Sequence, residues 1–464
     1  MIRFILPVLI FISPAVFAQN FKIQFDLKPA AGKEIKLAYY YTGNVFLKDS
    51  VLLDEKGAGT LKGDTLLPQG LYKIYLDENH HFDFLMGADQ EFTLYNDSFE
   101  PENLRITGAT ETEEFARYVV FLKGIQKRSA EIREKIKTAP EEEKKRLQEE
   151  MAGFTPALQN YWKETEQKYP GTFLAKFLMS NLVPELDITT LPEEIQKNDS
   201  LLLLARFNYQ LEHFWDHFDY TDERFLYTPL LKPKLETWFT KVLYQNYDSV
   251  KPYVFRFIED VKPNKRLFQF VTSWFLNSAV NSNIMGMDAL MVDLARAYYL
   301  SGEAFWASEK TMENIRENVM FAENNLIGKT APDLNLESVD GEFFRLHQMK
   351  AKITVLLIFE PDCSHCKVFV PEFHKEVYQK FKNKGLAVYA IYSMDNKNEW
   401  TEFLTRHDLY DWVNVWDENH LSRFKILYDA RKTPEVYVLD ENKKIVAKNM
   451  TTEQLQHFME RELH

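Results

Sequence analysis

Cysteine is nearly absent from this chain, which has 464 residues and only the two cysteines Cys363 and Cys366. Two cysteines exclude a framework of structural disulfides of the kind that stabilises small secreted domains. A zinc site would need two further soft ligands, and only His365 and His374 lie nearby in sequence. The spacing Cys-x-x-Cys is typical of a redox dithiol, with a static disulfide as the alternative interpretation.

Basic residues are also in deficit, because 56 Lys and Arg stand against 69 Asp and Glu and the formal net charge is −13. Such an acidic balance argues against nucleic acid and against anionic lipid as partners. The sequence contains no convincing internal repeat and no low-complexity tract. An apolar fraction of 45% is ample for packed cores.

Long hydrophobic runs are missing except at the N-terminus, where Met1-Ile2-Arg3 precedes an apolar stretch from Phe4 to Phe17 and the small residue Ala18. This pattern predicts a signal peptide, residues 1–18, cleaved after Ala18. The stretch is too short for a comfortable membrane span, although an uncleaved signal that holds the protein at the membrane is the alternative. No cysteine lies near the cleavage point, so a lipid anchor is not expected. We therefore expect a periplasmic or secreted protein.

Residues 19–108 are expected to form a small all-β sandwich. Alternating apolar residues at Phe21, Ile23, Phe25 and Leu27 indicate a half-buried strand. Four further short runs of strand character follow, separated by turn signals rich in Gly, Asn, Asp and Pro, and predict strands at 35–41, 71–76, 82–86 and 91–95.

Residues 109–325 are expected to form an all-α domain. Pro140 followed by three glutamates indicates a helix start, and Thr155-Pro156 indicates another with Thr155 as N-cap. Apolar periodicity predicts further helices at 200–218, 230–245, 253–261, 265–282, 288–300 and 308–322.

Residues 326–464 are expected to form an α/β domain, because strands and helices alternate there. The continuous apolar run Thr354 to Phe359 predicts a fully buried central strand. The dithiol follows this strand directly and precedes a helix, which puts Cys363 at the helix N-terminus. Unpaired amides and the helix dipole at that position favour a thiolate, the nucleophile in disulfide exchange. Cys366 lies one turn further and is expected to resolve the mixed disulfide.

The residues around the dithiol resemble the thioredoxin superfamily, with Pro371 five residues after Cys366 and Pro434 after Thr433. This resemblance implies that Pro434 is a cis-proline facing the dithiol and that the backbone of Thr433 pairs with the bound substrate chain.

A closer resemblance is to the TlpA/ResA-type extracytoplasmic thiol–disulfide oxidoreductases, through the entry motif Gly328 to Leu334 and an insertion at Tyr410 to Tyr428. It covers about 140 residues at the C-terminus. The whole chain is similar to multidomain versions of this group, with a β domain and a helical domain of unassigned function in front. The segments 106–118 and 214–229 carry that weaker similarity.

Two positions depart from the family pattern. Leu357 stands where thioredoxin has a buried aspartate, and Phe369 stands where many TlpA/ResA-type reductases have a glutamate. Since both acids are thought to move the proton of the buried cysteine, Glu360 becomes the nearest candidate acceptor, with a solvated carboxylate at the strand end as the alternative.

His365 lies between the two cysteines and can stabilise the Cys363 thiolate, which would make the disulfide more oxidising. A solvent-facing histidine without influence is the alternative. The direction of electron flow is therefore left open by the sequence.

A metal site elsewhere is not expected. His213 and His217 are four residues apart, but Phe214 occupies the position where a catalytic metalloprotease has glutamate, and neighbouring aromatic residues favour core packing. We expect no metal and no cofactor.

Together these patterns predict a secreted, three-domain thiol–disulfide oxidoreductase that acts on protein disulfides or dithiols. The catalytic residues would be Cys363 and Cys366, supported by the four residues His365, Glu360, Thr433 and Pro434. An upstream membrane electron donor or acceptor is expected, and the front domains could form a homodimer. The alternative is an envelope-binding protein whose thioredoxin-like module is secondary. A dedicated reductant for a single apoprotein is a third hypothesis.

Overall fold

The computed structural model describes residues 20–464, so the predicted signal peptide lies outside the described residues. The chain divides between Leu243 and Tyr244 into two compact units. This division falls inside the predicted helical region 109–325, and the predicted domain boundaries stay predictions.

The first unit begins with a β-sandwich, as expected. Two four-stranded sheets have the strand orders β4-β1-β7-β8 and β3-β2-β5-β6, and apolar side chains from both sheets share one buried core. In β1 the odd residues are buried and Lys22 and Gln24 are exposed, which confirms the alternation seen in the sequence. The strands are β1 Phe21–Asp26, β2 Glu34–Tyr41, β3 Asn44–Leu52, β4 Ala58–Gly63, β5 Gly70–Tyr75, β6 His81–Met86, β7 Glu91–Tyr95 and β8 Arg105–Thr107.

Three of these strands, β3, β4 and β8, were not predicted. The strand β3 is at the edge of its sheet, and most of its side chains are exposed, so no hydrophobic alternation marks it. Residues 56–59 contain one of the turn signals between the predicted strands, but β4 already begins at Ala58.

Helices complete the first unit. They are α1 Thr110–Ile136, α2 Glu141–Ala152, α3 Phe154–Lys168, α4 Phe173–Met179, α5 Glu193–Gln196, α6 Asp199–His213 and α7 Leu231–Thr237, which continues into a π-helical turn over Trp238–Val242. The start of α2 after Pro140 is confirmed. The predicted N-cap Thr155 is wrong: α3 begins at Phe154, and Gly153 occupies its N-cap position. Likewise α6 ends at His213, five residues before the predicted end.

The second unit begins with four helices, α8 Tyr247–Val261, α9 Lys265–Val280, α10 Met287–Leu294 and α11 Glu309–Ala322, with a π-helical turn over Ala295–Tyr299 after α10. The start predicted for α8 at Tyr253 is wrong by six residues. Asn246 caps the helix by accepting a hydrogen bond from the Ser249 amide, and Pro252 is accommodated inside it. Because five apolar side chains of α8 are buried, packing outweighs the one backbone hydrogen bond that the proline removes.

A seven-stranded mixed sheet forms the rest of the second unit, in the order β10-β9-β13-β12-β11-β14-β15. The fully buried strand β11 is central and pairs with β12 in parallel and with β14 antiparallel. The strands of this sheet are β9 Asn335–Ser338, β10 Phe343–Arg345, β11 Ile353–Phe359, β12 Leu386–Tyr392, β13 Val413–Trp416, β14 Glu435–Leu439 and β15 Ile445–Lys448.

Side chains of β11 alternate between two hydrophobic cores, one on each face of the sheet. Val355, Leu357 and Phe359 belong to one core, and Leu356 and Ile358 belong to the other. Five helical segments cover this sheet: α12 Ser364–Phe373, α13 Gln379–Phe381, α14 Lys397–His407, α15 Phe424–Leu427 and α16 Thr452–Glu462. A π-helical turn over His374–Tyr378 joins α12 to α13.

Polar contacts connect the helices of the second unit to its sheet. The Lys448 ammonium at the end of β15 lies 2.5 Å from a carboxylate oxygen of Asp288 on α10. It also donates a hydrogen bond of 3.0 Å to the side-chain oxygen of Asn325, whose amide group donates to the Leu427 carbonyl at 3.1 Å. Over residues 20–464, no helix combines the length and the hydropathy needed to cross a membrane.

Truncating Leu357 tests the importance of the β11 core. This side chain is fully buried beside Cys366, so Leu357→Ala should lower the free energy of unfolding by about 2–5 kcal/mol. Urea denaturation followed by tryptophan fluorescence measures the change. Val368→Ala, at a side chain that is 66% exposed, is the matched control and should change stability by less than about 0.5 kcal/mol. Equal effects of the two variants would contradict the assignment of Leu357 to the core.

Candidate active site

The dithiol lies where the buried strand β11 ends and the helix α12 begins. Cys363 is the N-cap of α12, with extended backbone angles, and its amide donates to the Glu360 carbonyl at 3.2 Å. The Cys363 carbonyl accepts the first helical hydrogen bond, from the Lys367 amide at 3.0 Å. The predicted position of Cys363 at a helix N-terminus is therefore confirmed, and the amides of the first turn face its sulfur.

Cys363 is the more accessible thiol of the pair. Its side chain is half-buried, and its sulfur donates a hydrogen bond of 3.2 Å to the Thr433 carbonyl. The pKa of Cys363 lies below its ordinary value. Partial burial raises this pKa, but hydrogen bonds to the sulfur outweigh the effect of burial. The donors are the Cys366 amide, the Thr433 side chain, the Cys366 thiol and the His365 amide. These donors stabilise the thiolate.

Cys366 differs from Cys363 in both its burial and the direction of its pKa shift. Its side chain is fully buried in the core that contains Leu357 and Phe359. Burial raises the pKa of Cys366 to about 12, and the neighbouring Cys363 sulfur raises it further through a hydrogen bond and charge repulsion, while the Glu360 amide and the Thr433 side chain oppose this. The two sulfurs are not joined in a disulfide here, so the structure shows the dithiol form.

The loop before β14 completes the site from the other side. The Thr433–Pro434 peptide bond is cis, as the family resemblance implied. Since β14 pairs with β11 and places Glu435 opposite Ile358, the Thr433 carbonyl reaches the Cys363 sulfur. The substrate-pairing role of Thr433 stays a prediction.

His365 and Glu360 lie at the same end of the sheet. His365 is exposed, and what it contributes to the Cys363 sulfur in this structure is its backbone amide, not its imidazole. Glu360 is half-buried and accepts a hydrogen bond of 3.0 Å from the Ser393 hydroxyl at the end of β12. The functional roles assigned to both side chains stay predictions.

An apolar cavity beside the dithiol was not found from the sequence. Its volume is about 620 Å³, and it extends from His365 and Pro434 across Val368 and Phe369 to Met450. Phe369 stacks on Phe373 with 5.8 Å between ring centroids. The apolar side chain of Phe369 near the dithiol was a sequence signal for this cavity, but the contribution of Met450 depends on the fold alone.

Glu435 is a second residue that sequence reasoning missed. Burial raises the pKa of Glu435 to about 7, assisted by the Asp429 carboxylate and opposed by the side chains of Asn449, Lys448 and Lys432. The residue directly after the cis-proline therefore titrates near neutral pH. No sequence pattern marks it, because its burial comes from packing within the second unit.

Alkylation should distinguish the two thiols. Because the Cys363 pKa is lowered, a Cys366→Ser variant should react with iodoacetamide with a pH midpoint below about 8.5, the value of a free cysteine. A Cys363→Ser variant should stay unreactive while folded, since the remaining sulfur of Cys366 is fully buried. Mass spectrometry of timed samples measures both rates. A midpoint for Cys363 at or above that of free cysteine would contradict the assignment of a stabilised thiolate.

Comparisons with known proteins agree on the C-terminal part of the chain. Residues 327–448 match the model of the AhpC/TSA family. The thiol-disulfide oxidoreductase ResA of one Bacillus cereus strain is 25% identical over 138 residues, 29% of this chain and 78% of that protein. The ResA of a second strain is 21% identical over 204 residues, 43% of this chain and 98% of that protein.

Solved structures are also similar to parts of this chain. A domain described as that of a possible thiol-disulfide isomerase from Cytophaga hutchinsonii is 35% identical, with a TM-score of 0.28, over 29% of this chain and 92% of that chain. A thioredoxin-like protein from Bacteroides caccae is 19% identical, with a TM-score of 0.47, over 60% of this chain and 98% of that chain. By sequence and by the strand–dithiol–helix arrangement, the C-terminal part of the chain is a thioredoxin-like domain of the TlpA/ResA type, the type of the thiol–disulfide oxidoreductases it matches.

Proposed function

We propose that the Cys363–Cys366 pair exchanges electrons with disulfides or dithiols of protein substrates. The observation that carries this proposal is the asymmetry of the two sulfurs. Cys363 is accessible and has a lowered pKa, whereas Cys366 is buried with a pKa of about 12. Such a pair separates the attacking thiolate from the thiol that is held in reserve.

In the reducing direction, the Cys363 thiolate attacks one sulfur of a substrate disulfide. The substrate S–S bond breaks, a mixed disulfide forms, and the other substrate sulfur leaves as a thiolate. Cys366 then loses its proton and attacks the Cys363 sulfur, which releases the second substrate thiolate and leaves the Cys363–Cys366 disulfide. Two electrons have passed to the substrate, and the reverse sequence oxidises a dithiol.

The first step prepares the second. Two of the contributions that raise the pKa of Cys366 come from the Cys363 sulfur, through its hydrogen bond and its negative charge. Both disappear when that sulfur is bound covalently in the mixed disulfide, so the Cys366 pKa falls when its thiolate is required. Burial, the largest contribution, persists and calls for a nearby proton acceptor. Glu360 is our candidate, because its amide already contributes a hydrogen bond to the Cys366 sulfur and Leu357 and Phe369 carry no acid.

The proposal includes an oxidising compartment, the periplasm or the exterior, and is supported there by the signal peptide that the sequence predicts at residues 1–18. There a reductase would be oxidised after each turnover, so a membrane donor of electrons has to restore its dithiol. The residues in front of the redox module would bind a partner or form a homodimer.

The reduction potential determines the direction of this exchange. Equilibration with glutathione buffers and counting of free thiols should give a value near or below about −250 mV for a reductase, or about −120 to −180 mV for an oxidant or isomerase. If the imidazole of His365 stabilises the thiolate, His365→Ala should make the potential more negative, by about 30 mV for each 1.4 kcal/mol of lost stabilisation. An unchanged potential would assign thiolate stabilisation to the backbone amides alone.

Trapping of the intermediate tests the order of the two cysteines. A Cys366→Ser variant should accumulate a mixed disulfide with a disulfide-containing protein such as insulin, since the resolving thiol is gone. The matched Cys363→Ser variant should accumulate none, because its remaining sulfur is buried. Non-reducing electrophoresis detects the adduct. A wild-type pair that fails to equilibrate with glutathione, together with no adduct in either variant, would refute the proposal and favour the binding-protein hypothesis.

A further inference from the structure

A cavity of about 400 Å³ in the first unit is not explained by the redox chemistry. Four side chains of α6 line it: Arg206, Tyr209, Gln210 and His213. Their spacing of three and four residues places them on one face of the helix. Lys234 enters from α7, and Glu185, Leu186 and Phe214 also belong to the lining.

Lys234 is held in this cavity by aromatic rings. Its ammonium nitrogen lies 5.1 Å from the ring centroid of Phe214, 5.8 Å from that of Trp215 and 5.1 Å from that of Phe218. Such distances are those of cation–π contacts. No carboxylate pairs with this ammonium among the described residues, and burial lowers the pKa of Lys234 to about 8. The ring contacts therefore leave a partly desolvated positive charge without a counter-ion.

The other charged groups of the lining do not neutralise Lys234. Arg206 has no ion pair within residues 20–464, and His213 is already engaged, 2.7 Å from a carboxylate oxygen of Asp216 and stacked on Tyr209. Glu185 is the acid of the lining and is exposed. Lys234 and Arg206 are two basic groups that face one carboxylate, so the cavity carries a positive excess when Lys234 is protonated.

The helix α6 covers the cavity without entering the core. None of its residues is buried, although the sequence Leu201 to Leu204 is strongly apolar. The lining combines the charged groups with apolar side chains such as Leu186, Ile188 and Phe214. An occupant would therefore gain from an apolar body as well as from an anionic group.

We propose that this cavity binds a small organic carboxylate with an apolar body, whose carboxylate pairs with Lys234 and Arg206. Charge-assisted hydrogen bonds to the two cations supply the counter-ion that Lys234 lacks. The apolar body packs against Phe214 and Leu186. The site is independent of the dithiol, so its failure or success leaves the proposed redox function untouched.

Calorimetric titration of the full chain with 4-phenylbutyrate tests the proposal. The matched probes 4-phenyl-1-butanol and 4-phenylbutylamine keep the apolar body and replace the carboxylate by a neutral group or a cation. We expect the carboxylate to bind at least tenfold more tightly than either. Lys234→Met and Arg206→Gln should each weaken binding by about tenfold, whereas Lys241→Met, at an exposed lysine outside the lining, should not change it.

Proton uptake provides a second measurement that a nonspecific apolar site would not reproduce. An anion beside Lys234 raises its pKa, so binding at pH 8 should take up as much as about half a proton and binding at pH 6 almost none from this group. Titrations in buffers of different ionisation enthalpy measure this number. Arg206, Glu185 and His213 also line the cavity. The part of the uptake that Lys234 contributes is therefore identified by its loss in Lys234→Met.

Three results would overturn the proposal. They are equal binding of the alcohol and the carboxylate, unchanged affinity in both Lys234→Met and Arg206→Gln, and proton uptake at pH 8 that persists in Lys234→Met. Circular dichroism checks that Lys234→Met is folded. Arg206 is exposed, so Arg206→Gln keeps the test decisive if the lysine variant does not fold.

Discussion

The full burial of one sulfur next to a second sulfur that is only half-buried is the constraint on which the redox site depends. Only two residues lie between Cys363 and Cys366, yet the first sulfur faces the helix amides and the second lies in a hydrophobic core. The strand β11 creates this difference, because it is buried on both faces and its carboxyl end leads directly to the N-terminus of α12. The loop with the cis-proline lies at the same end of the sheet, where the Thr433 carbonyl accepts a hydrogen bond from the Cys363 sulfur.

The first unit contains no cysteine among its described residues. Its notable feature is a cavity lined by aromatic and charged side chains. An ammonium among three rings is tolerable because the ring faces are electronegative, although they do not replace a full negative charge. In the sequence, His213 and His217 in this stretch were considered as ligands of a metal ion, and a metal site was not expected there. The structure places His213 beside Lys234 in the lining and pairs it with Asp216.

Sequence patterns were sufficient where one physical signal dominated. The buried run of β11, the Cys-x-x-Cys spacing and Pro434 predicted the layout around the dithiol, and the alternation in β1 predicted a sandwich. They failed where the signal was weak or contradictory. The exposed edge strand β3 has no apolar alternation, and Pro252 concealed the first turns of α8. Glu435 and Lys234 could not have been identified from sequence, since their unusual pKa values come from neighbours that are distant along the chain or on other elements.

The π-helical turn over His374–Tyr378 has a consequence for how this domain can vary. A π turn holds one residue more than the corresponding α-helical path, so the helix after it is rotated by about 100° relative to α12. Phe373, Val377 and Phe381 lie before, within and after the turn and belong to the same core. The turn therefore allows the residues after it to pack in an orientation that differs from the one set by α12, whose first turn carries the dithiol. Single-residue insertions and deletions should accumulate at this turn in related chains, where they change the distal packing and leave the sulfurs in place.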